Sequence, residues 1–254
     1  MDQARYLVIS DIHGNLQALE SVLADAKTAR FDHVLCLGDL VGYGADPEAI
    51  VDTVLSLAPL TVIRGNHDKV ASGIQPAWDF HDQARQAIEW TSRALSPRSM
   101  AALRALPTGP AEVRPGLRIC HGAPFDEDHY IFDARDASRA MAAGPVALTL
   151  FGHTHVPAAF AAHSRGIELL LPDLASDRPD VQVLEWDRAR PTLVNVGAVG
   201  QPRDGDPRAA YGIVDTAAGV IEFRRVDYDI KTAQERIRAA GLPERLATRL
   251  DRGA

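Results

Sequence analysis

Tyr6-Leu7-Val8-Ile9-Ser10-Asp11-Ile12-His13-Gly14-Asn15 is the stretch on which the reading of this chain turns. The apolar run Tyr6–Ile9 passes directly into a carboxylate, an imidazole and a glycine, as a buried strand does when it ends in a polar turn. Downstream, Leu16–Ala29 has the spacing of an amphipathic helix, His33–Leu37 is strand-like, Pro47–Leu57 is helical and Leu60–Arg64 is a third strand. Strands alternating with helices imply right-handed crossovers and parallel pairing. Each strand again runs into a short glycine-containing loop, Gly38-Asp39 after the second and Gly65-Asn66-His67-Asp68 after the third. In open α/β sheets, sites assemble at these carboxyl ends.

From Gln75 to Leu106 the pattern is helical, with Pro97 placed to start a second helix. Trp78, Ala84, Ile88, Leu95, Met100, Leu103 and Leu106 fall at packing positions, and the pair of helices could also wall a pocket beside the third loop. The second half is rich in strands: Arg118–Cys120, Ala147–Phe151, Ala158–Ala162, Gly166–Leu171, Val181–Leu184, Thr192–Val196, Tyr211–Thr216 and Val220–Val226. A helical tail from Asp229 to Arg252 is broken at Gly241-Leu242-Pro243. With no internal repeat or low-complexity linker, we expect one layered α/β domain over residues 1–254. It has two facing sheets and a helical insertion at about 75–106.

Composition narrows the class. Hydrophobic residues are 46% and charged residues 24% of the 254, which suits a globular fold rather than disorder. A net charge of −7 repels nucleic acid at long range, so duplex binding is not expected. Cys36 and Cys120 sit among aliphatic residues and read as reduced, buried thiols. No apolar segment approaches the ~20 residues that span a bilayer. The expectation is a cytoplasmic protein that does not engage a membrane; its oligomeric state is not legible.

Taken together, the loops supply a ligand set. Asp11, His13, Asp39, Asn66 and His67 follow the first three strands, and Cys120-His121-Gly122 and Gly152-His153-Thr154-His155 add three imidazoles after later ones. Divalent cations of intermediate hardness take this mixture of imidazole nitrogen with carboxylate and amide oxygen. Any fragment alone occurs by chance in many loops. In conjunction they sit at strand ends and include five of the nine histidines: His13, His67, His121, His153 and His155. The remaining His33, His81 and His163 read as surface or locally hydrogen-bonded groups, whereas His129 lies in Phe125–Tyr130, a loop that, with Tyr130, could wall the pocket.

These five blocks, in this order, resemble the calcineurin-like metallophosphoesterases. Gly38–Gly44, reading Gly-Asp-x-Val-Gly-Tyr-Gly, and Asn195–Arg203 resemble in particular its bacterial phosphodiesterase-type members. The resemblance implies an αββα sandwich of two mixed sheets flanked by helices. It also implies two divalent metal ions, Mn²⁺, Fe or Zn²⁺, one held by Asp11, His13, Asp39 and His155. The other would be held by Asp39, Asn66, His121 and His153, with Asp39 bridging. His67 matches the family's catalytic histidine beside the leaving-group oxygen, and a water activated by both cations attacks phosphorus. Asp68 matches a supporting or turn position.

Two departures bear on the substrate. Protein-phosphatase branches carry Asp-Arg where this chain has Gly42-Tyr43, which counts against a phosphoserine/threonine phosphatase. Val196 and Ala198 replace Pro and Ser in the Asn195 block, both strand-compatible changes. Arg203 either reaches substrate phosphate or pairs with Asp204 or Asp206 as loop structure. The expectation is hydrolysis of a phosphodiester or small phosphate ester, with Tyr43 and Arg203 touching substrate. The alternatives are a phosphomonoesterase or protein phosphatase, and a catalytically weak protein-binding scaffold of the same fold. A scaffold would be expected to have lost a ligand or His67, and all are present.

Overall fold

A computed structural model describes residues 4–170 and 179–254. Its elements, in chain order, are β1 (Arg5–Ile9), α1 (Leu16–Ala29), β2 (His33–Cys36), α2 (Pro47–Ser56), β3 (Leu60–Val62), α3 (Asn66–Ala71), α4 (Asp82–Ala94) and α5 (Pro97–Ala105). β4 (Ala111–Arg114), β5 (Leu117–Ile119), α6 (Ala134–Ala142), β6 (Leu148–Leu150), β7 (Ala158–His163) and β8 (Gly166–Leu169) follow. The chain finishes with β9 (Val181–Glu185), β10 (Thr192–Asn195), β11 (Ala209–Asp215), β12 (Val220–Val226), α7 (Ile230–Ala239) and α8 (Glu244–Thr248).

Two six-stranded sheets form, ordered β3-β2-β1-β11-β12-β9 and β4-β5-β6-β10-β7-β8. β1, β2 and β3 run parallel, as the alternating pattern required, and β11 closes on β1 antiparallel, with Leu7 opposite Ile213. In the second sheet β5, β6 and β10 are parallel, while β4, β7 and β8 are antiparallel to their neighbours. The period-two alternation of a strand divides β1 between two cores. Tyr6 and Val8 join Leu35, Leu37, Leu150 and Val194 between the sheets. Leu7 and Ile9 join Leu19 and Val22 of α1, Ile50 of α2 and Ile237 of α7 on the outer face. On the far side, Ala137, Ala140 and Met141 of α6 cover Phe151, Phe160 and Leu193. Helix, sheet, sheet, helix is thus the layer order, the αββα sandwich expected from the sequence.

Local chemistry sets the ends of α1. Asn15 caps its N-terminus, its side chain accepting from Ala18 N at 3.2 Å. Ala18, Leu19, Val22, Ala26 and Ala29 form one buried stripe. Burying a large aliphatic side chain fully contributes about 1.5–3 kcal/mol, so Leu19→Ala would loosen the helix from the sheet that carries the first loop.

Several expectations need correction. Residues 66–71 are a helix rather than loop, so Asn66 and His67 occupy its first turn. Gln75–His81 is turn and bend rather than helix; α4 starts only at Asp82, where the His81 side chain caps Ala84 N. β4 and α6 had no expected counterpart. Leu171, the expected end of β8, lies outside the described residues. Both cysteines are free and buried. No helix among the described residues is long and apolar enough to cross a membrane.

Candidate metal centre

Parallel register brings the strand ends together. Ile9 pairs with Cys36 and Ile119 with Leu150, so the loops after β1 and β2, and after β5 and β6, leave their sheets side by side. Backbone bonds then join the loops: Asp11 N to Gly38 O at 3.1 Å, His13 N to Asp39 O at 3.0 Å, and Gly152 N to His121 O at 2.8 Å. To turn inward at once, Asp11, His13, Asp39, His153 and His155 adopt left-handed φ values of +53°, +50°, +53°, +69° and +61°. Such a backbone costs a non-glycine residue of order 1 kcal/mol and persists where its surroundings enforce it, typically at functional sites.

Two overlapping clusters result. Donor atoms of Asp11, His13, Asp39 and His155 lie within 4.8 Å of one another, as do those of Asp39, His121 and His153, and Asp39 is common to both. Asn66 joins the second, its Oδ1 3.1 Å from His121 Nε2. The six clustered aspartates and histidines are buried, and Asn66 is half-buried. Asp39 is fixed from both sides, since Oδ1 accepts from His67 N at 2.8 Å while Oδ2 faces His13 Nε2 at 3.5 Å and His121 Nε2 at 3.4 Å. A Cβ on Gly65 would collide with that carboxylate, so only glycine lets the third loop approach so closely.

Second contacts fix the imidazole tautomers. His13 Nδ1 faces Val41 O at 3.1 Å, His121 Nδ1 faces Leu37 O at 2.9 Å and His155 Nδ1 faces Gln201 O at 2.7 Å. A carbonyl can only accept, so each Nδ1 carries the proton and Nε2 turns inward. His153 is reversed: Nε2 donates to Asp128 O at 3.1 Å, leaving Nδ1 inward. Burial pushes His13 and His155 well below their ordinary value, and His153 to about 3, so these rings are neutral. His13 Nε2 and His155 Nε2 therefore confront each other, 3.0 Å apart, as bare lone pairs beside two carboxylates. Converging acceptors with no donor among them fit a cation. Burial lifts Asp11 to about 6. Burial alone would lower His121, but the Asp39 carboxylate against it holds it up at about 10, a proton that a cation would displace.

Around the clusters the other predicted residues take distinct places. His67 is buried, its ring 4.5 Å from Tyr43, 4.7 Å from His13 and 4.6 Å from Phe80, centroid to centroid. Its Nδ1 has no hydrogen-bond partner among the described residues and abuts Gly42, where a Cβ would run into it. Asp68 has the supporting role, accepting from Gly65 N at 2.9 Å and Val41 N at 3.2 Å. Arg203 does not pair with either neighbouring carboxylate: Asp204 is taken by Arg225, and Asp206 by Arg208 at 2.7 Å. Instead it donates to Gln201 Oε1 at 2.9 Å and lies 5.8 Å from the Tyr43 ring. Val196 and Ala198 are buried in packing, while Asn195 donates to Gly152 O at 2.8 Å and steadies the His153 turn.

A cleft of about 350 Å³ opens beside the second cluster, lined by His67, Asn66, His153, Tyr43, Phe80 and Tyr130 among others. His129 is turned away from it, its Nε2 3.7 Å from Asp136 of α6, which corrects its expected place in the wall. Lys69, Glu127 and Asp128 were not singled out in the sequence, because charged residues in loops carry no distinguishing pattern until their partners are known.

Comparison with known proteins agrees with this geometry. Residues 5–219 match the calcineurin-like phosphoesterase superfamily domain. An uncharacterised protein of Methanocaldococcus jannaschii is 36% identical, over 98% of both chains. The crystal structure of a metallophosphoesterase from Sphaerobacter thermophilus is similar over 100% of both chains, at 38% identity and a TM-score of 0.85. A hypothetical protein from Pyrococcus horikoshii shares the fold, with a TM-score of 0.80 at 20% identity over 98% of each chain. A strand-end centre of buried aspartates and histidines on an αββα sandwich, matched over most of its length, places this chain in the calcineurin-like phosphoesterase superfamily of metal-dependent hydrolases.

Proposed function

We propose that the protein hydrolyses a small phosphate ester with an organic leaving group and prefers a diester to a phosphoserine peptide. The observation that carries this reading is the pair of buried clusters sharing Asp39, opening past His67 into a cleft of about 350 Å³. In this reading Asp11, His13, Asp39 and His155 hold one divalent cation, and Asp39, Asn66, His121 and His153 the other. Mn²⁺, Fe and Zn²⁺ all suit the donors. When bound, the two cations supply positive charge for the phosphoryl oxygens and a nucleophile drawn from water.

The chain's own groups do the rest. His67, neutral because burial lowers it to about 4, lines the cleft and is placed to stabilise the leaving oxygen by donating a ring N–H hydrogen bond to it. Tyr43 and Phe80 flank it with ring faces that suit an organic substituent better than a dianion. The protein-phosphatase arrangement, with a carboxylate behind the histidine, has no counterpart among the described residues, since Gly42 occupies that side.

One observation favours phosphomonoester hydrolysis as a second reading: Arg203 has no carboxylate partner among the described residues and could grip phosphate. Parallel kinetics of the Mn²⁺-loaded protein on bis-p-nitrophenyl phosphate, p-nitrophenyl phosphate and a phosphoserine peptide separate these. The expected kcat/KM is highest for the diester and lowest for the peptide. A preference for the peptide overturns the reading, and a monoester preference that Arg203→Ala abolishes establishes the second.

A further inference from the structure

The loop between β5 and α6 makes two contacts with one proposed ligand. Asp128 O accepts from His153 Nε2 at 3.1 Å, and the Tyr130 ring stacks on the His153 imidazole at 3.8 Å and 19°. A small loop needs an anchor to hold both contacts, and this one has an ionic anchor centred on the buried Lys69. Lys69 Nζ lies 2.8 and 2.6 Å from the two Asp128 carboxylate oxygens and 3.1 Å from Glu127 Oε1. Arg64 donates to both Glu127 oxygens, at 3.1 and 3.0 Å. The Lys69 side chain is 5% exposed and spends its three N–H groups on these carboxylates, so it has none left for substrate phosphate although it lines the cleft.

Lys69 also stands on α3, one turn beyond Asn66. The network therefore ties the element carrying Asn66 to the loop that orients His153, across the second cluster. We infer that Lys69 is a positioning residue for the second cation. Through Asp128 and Glu127 it fixes the loop whose carbonyl sets the His153 tautomer and whose tyrosine sets its plane. The first cluster has no such dependence, since His13 and His155 lean on carbonyls of Val41 and Gln201 instead. The inference rests on the two-cation reading above.

Equilibrium Mn²⁺ titration of the full chain, followed by paramagnetic resonance, tests it. Lys69→Met is expected to bind the first Mn²⁺ as wild type does and the second about 10–100-fold more weakly. The spectrum of a coupled pair should fade at Mn²⁺ concentrations that saturate wild type, and Lys69→Arg should restore most of it. Asp128→Asn, at a side chain 42% exposed, keeps the carbonyl but weakens the anchor, and is expected to shift the second affinity in the same direction. An unchanged second affinity in both variants overturns the inference. Equal weakening of both ions, as general loosening of the fold would cause, overturns it too. Wild type binding fewer than two ions refutes the two-cation reading itself, and that result appears without any variant.

Discussion

The two halves of the centre are built differently, although they share Asp39. In the first, Asp11, His13 and His155 are buried under loops joined by backbone hydrogen bonds, and two carboxylates contribute charge. In the second, Asn66 replaces a carboxylate, and His153 depends on a loop at the rim of the cleft. Fewer charges give a weaker site for a divalent cation. On the proposed two-cation reading, the first half holds the tighter ion and the second the weaker one, beside the cleft.

Removing the shared group should erase the difference. Asp39→Asn is expected to weaken both ions and lower turnover by more than ~10⁴-fold, beyond the loss of a single general acid. Retention of either ion at wild-type affinity would show that Asp39 does not bridge. His67→Ala probes the cleft side alone: both ions stay, and turnover on a poor leaving group falls by about 10²–10⁴-fold. With p-nitrophenol as leaving group much of that defect should vanish, and loss of an ion would make His67 a ligand. A subtler change is Gly42→Ala, which sets a methyl group against His67 Nδ1 at a φ of +93°. Displacing the ring by ~1 Å is expected to cost up to about 10²-fold in kcat with metal content unchanged. Wild-type kcat would show that the ring's seat is not critical.

Stability toward acid gives the smallest effect. Burial holds His13, His67, His153 and His155 below the ordinary histidine value of 6.5, His67 at about 4 and His153 at about 3. Unfolding lets them take up protons, so the stability present above pH 6.5 is lost as pH falls toward 4. Asp11 and Asp68, lifted by burial to about 6 and about 7, hold protons in the fold and oppose this, but four groups outweigh two. The metal-free Tm should therefore fall from pH 6.5 to 4.5, and the metal-loaded Tm more steeply as protons compete for the ligands. A metal-free Tm that rises toward acid would contradict these protonation states.

Much of the candidate centre was legible because its residues and the fold share one signal. Asp11, Asp39, His121 and His153 each follow an apolar run and abut or closely precede a glycine, so finding the strands also finds the centre. Helix α1 was readable to its ends from the spacing of its apolar stripe. Short elements were not readable: six-residue α3 looks like loop, and four-residue β4 lies partly exposed with no alternation to mark it. Long-range polar pairing was invisible as well. Lys69 meets Asp128 59 positions away, and Arg203 was separated from Asp204 and Asp206 only because Arg225 and Arg208 claim them.

Calorimetric titration of metal-free wild type with Mn²⁺ tests the central claim most directly. The account predicts two ions per chain with unequal affinities, the tighter lost in His155→Ala and the weaker in His153→Ala. One ion or none per chain, or two equivalent ions weakened alike by both substitutions, would contradict it.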